Sequence, residues 1–171
     1  IFEEGLDLHP QNSELEMAVV RVLMARERLE DAQHRVGNLV SADPLPAHLE
    51  LAAEVERRIQ IQQSIDAAMR GRLDESEQIL ESLLLTWEGD PDGLTALSDL
   101  RARQGRFEEA WQLALQVIDG NPSHAGALAA AQRAGLVLSR AADLLLLYQA
   151  AYLDEPASWV AAEIDAMELA I

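Results

Sequence analysis

Two six-residue segments of this chain repeat each other at a distance of 34 residues. Gly71-Arg72-Leu73-Asp74-Glu75-Ser76 aligns position by position with Gly105-Arg106-Phe107-Glu108-Glu109-Ala110, differing in character only at the Phe107 ring. The prolines keep the same distance: Pro10 to Pro44 is 34 residues, and Pro122 to Pro156 is again 34. Leu29-Glu30-Asp31-Ala32 follows the pattern of Phe107-Glu108-Glu109-Ala110, and in both cases a proline lies twelve residues past the alanine. A fixed period of this length means one supersecondary unit stacked on copies of itself, each burying the face that its neighbour leaves open.

Composition identifies the kind of unit. Hydrophobic residues are 49% of the chain and aromatics 4%, with Ala and Leu dominant where a β-rich fold would use Val, Ile, Thr and rings. Leu29, Ala32, Val36, Leu39 and Val40 share one helical face, as do Phe107, Ala110, Trp111, Ala114, Val117 and Ile118. Small residues at 32, 76 and 110 allow close approach of helices. Gly71 and Gly105 end helices by taking a left-handed conformation cheaply. Asp90-Pro91 reads as a cap followed by a first helical residue, and Ser13 with Glu16 as a capping box. The spacing predicts helices near 1–9, 13–25, 28–42, 46–69, 73–88, 91–104, 107–120, 124–138, 140–154 and 157–170.

These residues resemble the tetratricopeptide repeat (TPR) family, whose unit is two antiparallel helices in 34 residues. Leu94, Leu97, Ser98, Gly105, Phe107, Ala110 and Pro122 carry the resemblance, with Leu29, Ala32 and Pro44 a weaker copy. It implies an all-α, right-handed superhelical solenoid of antiparallel helix pairs over residues 1–171, with units at about 13–44, 45–90, 91–122 and 123–156. Partial units are expected at both ends, as in a piece of a longer array. Four departures stand out: Arg101 replaces an aromatic, Ala114 stands where a large ring is common, Leu144 replaces a small residue, and Ala32 to Ser76 spans 44 residues. The Leu144–Leu147 block predicts a helix covered on more than one side.

The 13 basic residues, all Arg, against 30 acidic ones give a net charge of -17. That field repels nucleic acid and anionic lipid surfaces. No apolar run reaches the ~18 residues that span a bilayer. There is no Cys, hence no disulfide, thiolate metal site or cysteine nucleophile. No phosphate loop, nucleophile elbow or metalloprotease helix is present. Glu30 and His34 are spaced to share a metal ion, but the sequence nominates no third ligand; they read as a surface pair. The expectation is a protein without enzymatic activity, cofactor or metal.

By the resemblance, first helices of successive units line a concave groove that holds a peptide or a helix. Carried onto this sequence, the candidates are Met17, Arg21 and Met24, then Asp92, Thr95, Asp99 and Arg103, then Arg133. The chaperone-binding subgroup, which grips a terminal carboxylate with Lys and Asn, is excluded: Lys is absent, and Arg21, Ile65, Asp99 and Arg133 replace the Asn. The expected function is an interaction scaffold for a protein or peptide partner; the acidic ends either favour a basic one or serve solubility alone. The alternative is a repeat region appended to a catalytic or membrane-spanning domain, such as bacterial envelope secretion machinery, a glycosyltransferase or a sulfotransferase. Trp111 and Trp87 read as core, and Trp159 as an exposed ring at the last helix.

Overall fold

The computed structural model describes residues 12–154, 156 and 158–168. Among them are nine α-helices and no strand: α1 Ser13–Ala25, α2 Leu29–Ala42, α3 Pro46–Met69, α4 Leu73–Thr86, α5 Pro91–Arg103, α6 Phe107–Gly120, α7 Ala125–Val137, α8 Ala141–Asp154 and α9 Ser158–Glu168. The helix expected near 1–9 lies outside the described residues. The chain divides into two compact units, residues 1–62 and 63–171, with the division inside α3. The long spacing from Ala32 to Ser76 has a simple cause. Helix α3 has 24 residues, whereas its counterpart α7 has 13, so the extra residues extend one helix instead of forming a loop.

In the first unit α1 and α2 pack through Val20, Leu23, Met24, Ala32 and Val36, joined by Leu51 and Val55 of α3. Ala32 is fully buried, as its place early in the second helix of a pair requires. Helix α1 starts one residue earlier than the capping-box reading implies. Asn12 is the cap, its Oδ1 accepting from Leu15 N at 3.1 Å. Ser13 is thus the first helical residue, and Glu16 is freed to accept from Arg35 on α2 at 3.1 Å.

In the second unit, Ala110, Trp111, Ala114, Leu128, Ala131 and Leu144 belong to one core cluster, and Ala68, Leu80, Leu97 and Leu100 to a second. Asp90 caps α5, its Oδ2 accepting from Gly93 N at 2.7 Å, with Pro91 at the first helical position. The Ser98 hydroxyl donates to the Ala110 carbonyl at 2.7 Å; a bond of that length forms only because both residues are small and the helices nearly touch. Arg101, at the aromatic position, is also buried. It pairs with Glu77, which also accepts from Gln104 Nε2 at 2.8 Å. A buried cation is tolerable only with such partners.

The Leu144 departure is explained by the residue facing it. At the position where the preceding pair carries Arg101, this pair carries Gly135, which lies beside Leu144. A Cβ on Gly135 would lie 3.0 Å from Leu144 Cδ1 and 2.6 Å from Trp111 Cζ3. Glycine at 135 leaves the space that Leu144 and the Trp111 ring fill.

The turns between helices repeat as strictly as the helices. Gly71 and Gly105 are left-handed as expected, at φ 78° and 77°. Glu27 and Ser139 take the same conformation at φ 59° and 58° without being glycine. At each turn the next residue's N–H closes onto a carbonyl five residues back: Arg28 on Leu23, Arg72 on Ala67, Arg106 on Arg101 and Arg140 on Gly135, at 2.8–2.9 Å. The left-handed region costs a residue with a Cβ roughly 1 kcal/mol. Glu27→Gly and Ser139→Gly should therefore each stabilise the fold by up to about 1 kcal/mol, and Gly105→Ala should destabilise it similarly. Thermal melts by circular dichroism check both signs.

The Glu77 cluster gives a pH dependence with a definite sign. Hydrogen bonds from Gln104 and then Arg101 hold the Glu77 carboxyl below its ordinary 4.5. A depressed carboxylate contributes stability above its unfolded value and loses it as pH falls through the folded one. Glu77→Gln should therefore be less stable than wild type at neutral pH, and the gap should shrink below about pH 4.5. Melting temperatures across the acid range read this directly.

Candidate partner-binding surface

Helices α5 and α7 pack side by side in the second unit, with equivalent positions 34 residues apart. The strict repeat sets Asp99 on α5 level with Arg133 on α7, and the two side chains form an exposed ion pair across the helices. Nearer the start of both helices, Asp92 faces His124, the cap of α7. His124 Nδ1 accepts from Ala127 N at 3.1 Å, which leaves the neutral ring's proton on Nε2, 3.6 Å from Asp92 Oδ1. The Thr95 hydroxyl donates to Pro91 O within its own helix at 2.7 Å. Thr95 Cγ2 lies 3.3 Å from where a Cβ on Gly126 would stand; glycine there lets the two helices meet closely.

At the other end of the face the character changes. Arg103 is exposed, and its counterpart Val137 on α7 is 57% exposed, with Leu136 beside it at 60%. The face thus runs from acid–histidine contact, through an ion pair, to apolar side chains in solvent. Such a surface offers a partner both hydrogen-bonding groups and hydrophobic area. Leu136 and Val137 are not among the candidates that the sequence nominates. The period was the available signal: adding 34 to Ala102 and Arg103 reaches them both.

The remaining candidates lie on α1, in the first unit. Arg21 is exposed and Met17 is half-buried against the core. Met24 is corrected from a groove position to a core one. It is 4% exposed and packs with Val20 and Val36, because the helix turns it to the same side as Val20.

Helix α9 joins α7 and α8 through a polar chain. The Tyr148 hydroxyl donates to Gln132 Oε1 at 3.2 Å, and Gln132 Nε2 donates to Glu163 Oε2 at 3.0 Å. Burial, and then the Glu163 charge, push the Tyr148 hydroxyl up to about 12. Trp159 packs edge-on against Tyr148 with centroids 6.3 Å apart and keeps 41% exposure. Trp111 is core, with the Arg140 guanidinium 5.1 Å over its ring. Trp87 is half-buried at the end of α4.

Sequence reading misses a set of arginines. Arg28, Arg72, Arg106 and Arg140 each follow a left-handed turn. The first three reach an acid three residues on: Asp31, Glu75 and Glu109. Arg140 instead reaches back to Glu108 at 2.8 Å. Their shared distance from the turn was the available signal. Glu30 and His34 are both exposed, and among the described residues no cluster of three metal-ligating side chains occurs. No helix among the described residues is long and apolar enough to cross a membrane.

Paired helices, small residues at each closest approach and left-handed turns at a 34-residue period define a TPR-like helical-repeat protein. Solved structures agree on that fold. The chain is similar to the TPR domain of P58(IPK), at 15% identity and a TM-score of 0.60 over 98% of this chain; it spans 48% of that one, about half its length. It is also similar to YrrB, described as a TPR protein with an unusual peptide-binding site, at 14% identity and a TM-score of 0.53 over 97% of this chain and 98% of that one. A third similar structure is TTC0263, a thermophilic TPR protein of Thermus thermophilus, at 17% identity and a TM-score of 0.54, over 98% of this chain and 87% of that one. No family model and no curated protein matches the sequence.

Proposed function

We propose that this chain is a protein-interaction scaffold and that the α5–α7 face holds a peptide or helix of its partner. The observation that carries the reading is the pairing of an exposed interhelix ion pair, Asp99–Arg133, with exposed Leu136 and Val137 on the same face. None of these four side chains belongs to a core cluster, so their residue types answer to something other than packing. YrrB, with a peptide-binding site in its description, shares the fold and gives the reading support from analogy only. The net charge of -17 favours a basic partner, whose approach would be steered by the field and slowed by salt.

Peptides selected from a displayed random library against the chain test this. Their affinity for Leu136→Ser combined with Asp99→Ala should fall about tenfold or more, since central contacts carry most binding energy. The selected peptides should be rich in Lys and Arg and bind more weakly at high ionic strength. Selected peptides that bind the variant as tightly as wild type would place the interaction elsewhere. An acidic consensus would defeat the proposed partner charge.

A further inference from the structure

The outward side of α8 is more apolar than the equivalent sides of α4 and α6, although α4 also exposes one leucine there, Leu85. Along the second helices of the pairs, three positions recur at the 34-residue period and remain exposed: Gln78, Ser82 and Leu85 on α4, Gln112, Gln116 and Asp119 on α6, and Leu146, Ala150 and Leu153 on α8. Of these three helices, only α8 is apolar at all three positions. Leu146 is 65% exposed and Leu153 83%, and Ala142, one turn before Leu146, is exposed as well. Of the Leu144–Leu147 block, Leu145 and Leu147 pack partly buried against the core that holds Leu144, and Leu146 alone is exposed. Leu144 is buried and packs inward, while Leu146 faces outward into solvent.

A further repeat stacked after α8 and α9 does not account for the stripe. Helix α6 has such a pair after it, since α7 packs on α6 and α8 on α7, yet Gln112, Gln116 and Asp119 stay exposed. The corresponding positions on α8 would stay exposed in the same way. We infer that the outer face of α8 is a second docking surface, taking an amphipathic helix whose apolar stripe is flanked by basic residues. Ala142, Leu146, Ala150 and Leu153 span about 17 Å of one helical side, three to four turns of a partner helix laid along it. Asp143 and Asp154, both exposed, are eleven residues apart and so border the same edge of the stripe. Residues 141–171 contain six acids and no Arg, and both charged residues that border the stripe are acidic. That charge selects the occupant. A second copy would bring the same acids against these, and an anionic bilayer would be repelled; a basic amphipathic helix satisfies both stripe and edge.

Three synthetic helical peptides of about 18 residues, sharing one Leu/Ala stripe and flanked by Lys, by Gln or by Glu, test the surface on the intact chain. The Lys-flanked peptide should bind, and more weakly as salt rises. Leu146→Gln with Leu153→Gln restores the polarity of α6 without altering charge. It should weaken that binding at least about tenfold with helicity and melting temperature unchanged, while Arg133→Ala on the α5–α7 face should leave it intact. If the Gln variant melts early, Asp143→Asn with Asp154→Asn serves instead and should erase the advantage of the Lys-flanked over the Gln-flanked peptide. Equal binding of the Lys-flanked peptide by wild type and the Gln variant, or equal binding of the Glu-flanked peptide, overturns the proposal. So does wild-type self-association in sedimentation that the Gln variant abolishes, which would make a second copy the occupant. Capture by phosphatidylserine vesicles that the Gln variant abolishes would overturn it too, making the occupant a membrane surface.

Discussion

Ala110→Glu should destabilise the second unit by about 3–5 kcal/mol, the scale of an uncompensated buried charge. Ala110 is fully buried, and the Ser98 hydroxyl occupies its carbonyl at 2.7 Å, so the α5–α6 contact cannot open without losing that bond. Among the neighbouring groups, Arg101 is already engaged by Glu77 and Gln104. Ala110→Leu should cost less, about 1–3 kcal/mol, because it forces methylenes into a filled space without a charge. Both melts should be accompanied by loss of Trp111 burial, which fluorescence reports. An exposed position would give changes within about 0.5 kcal/mol for both variants. Ala110→Glu melting with wild type would mean that α6 does not present this face to α5.

Leu144→Ala should cost about 2–5 kcal/mol, since Leu144 is fully buried and the space it leaves would be lined by Trp111 and Gly135. Gly135→Ala probes the same contact from the other side. In an open helix that change would stabilise by about 1 kcal/mol. Here the new Cβ meets Trp111 Cζ3 at 2.6 Å and Leu144 Cδ1 at 3.0 Å, and the ring is held by Arg140. The sign should therefore reverse, to a net loss of about 1–3 kcal/mol. Combining the two should cost less than their sum by at least about 0.5 kcal/mol, because the shortened residue 144 makes room for the methyl. Strict additivity in denaturant titrations would show that Gly135 and Leu144 do not exchange volume.

The period alone determined most of the architecture. The arginine after the turn recurs at all four copies, with glycine before it at two, a small residue four positions on at three and a proline twelve beyond that position at three, a pattern that paired helices satisfy. That is why the boundaries from Pro91 to Gly120 are legible: Asp90, Pro91, Gly105 and Ala110 each have one conformational reason to be where they are. Met24 reads as a groove residue because an exposed and a buried methionine at helical spacing look alike in sequence, and only packing against Val20 and Val36 separates them. Ser13 reads as a cap because Asn12 and Ser13 are chemically equivalent there; the backbone selects Asn12. Leu144 looks like a fault in the repeat until Gly135 is seen beside it, since a linear chain does not show which residues face each other across two helices. The same holds for the candidate surfaces. The sequence by itself determined that residues 34 apart are equivalent, and hence that Asp99 and Arg133, or Gln112 and Leu146, occupy matching places. Which of those places meet across helices and which face water was decided by the tertiary structure, because burial belongs to the packing of two elements and not to either one alone.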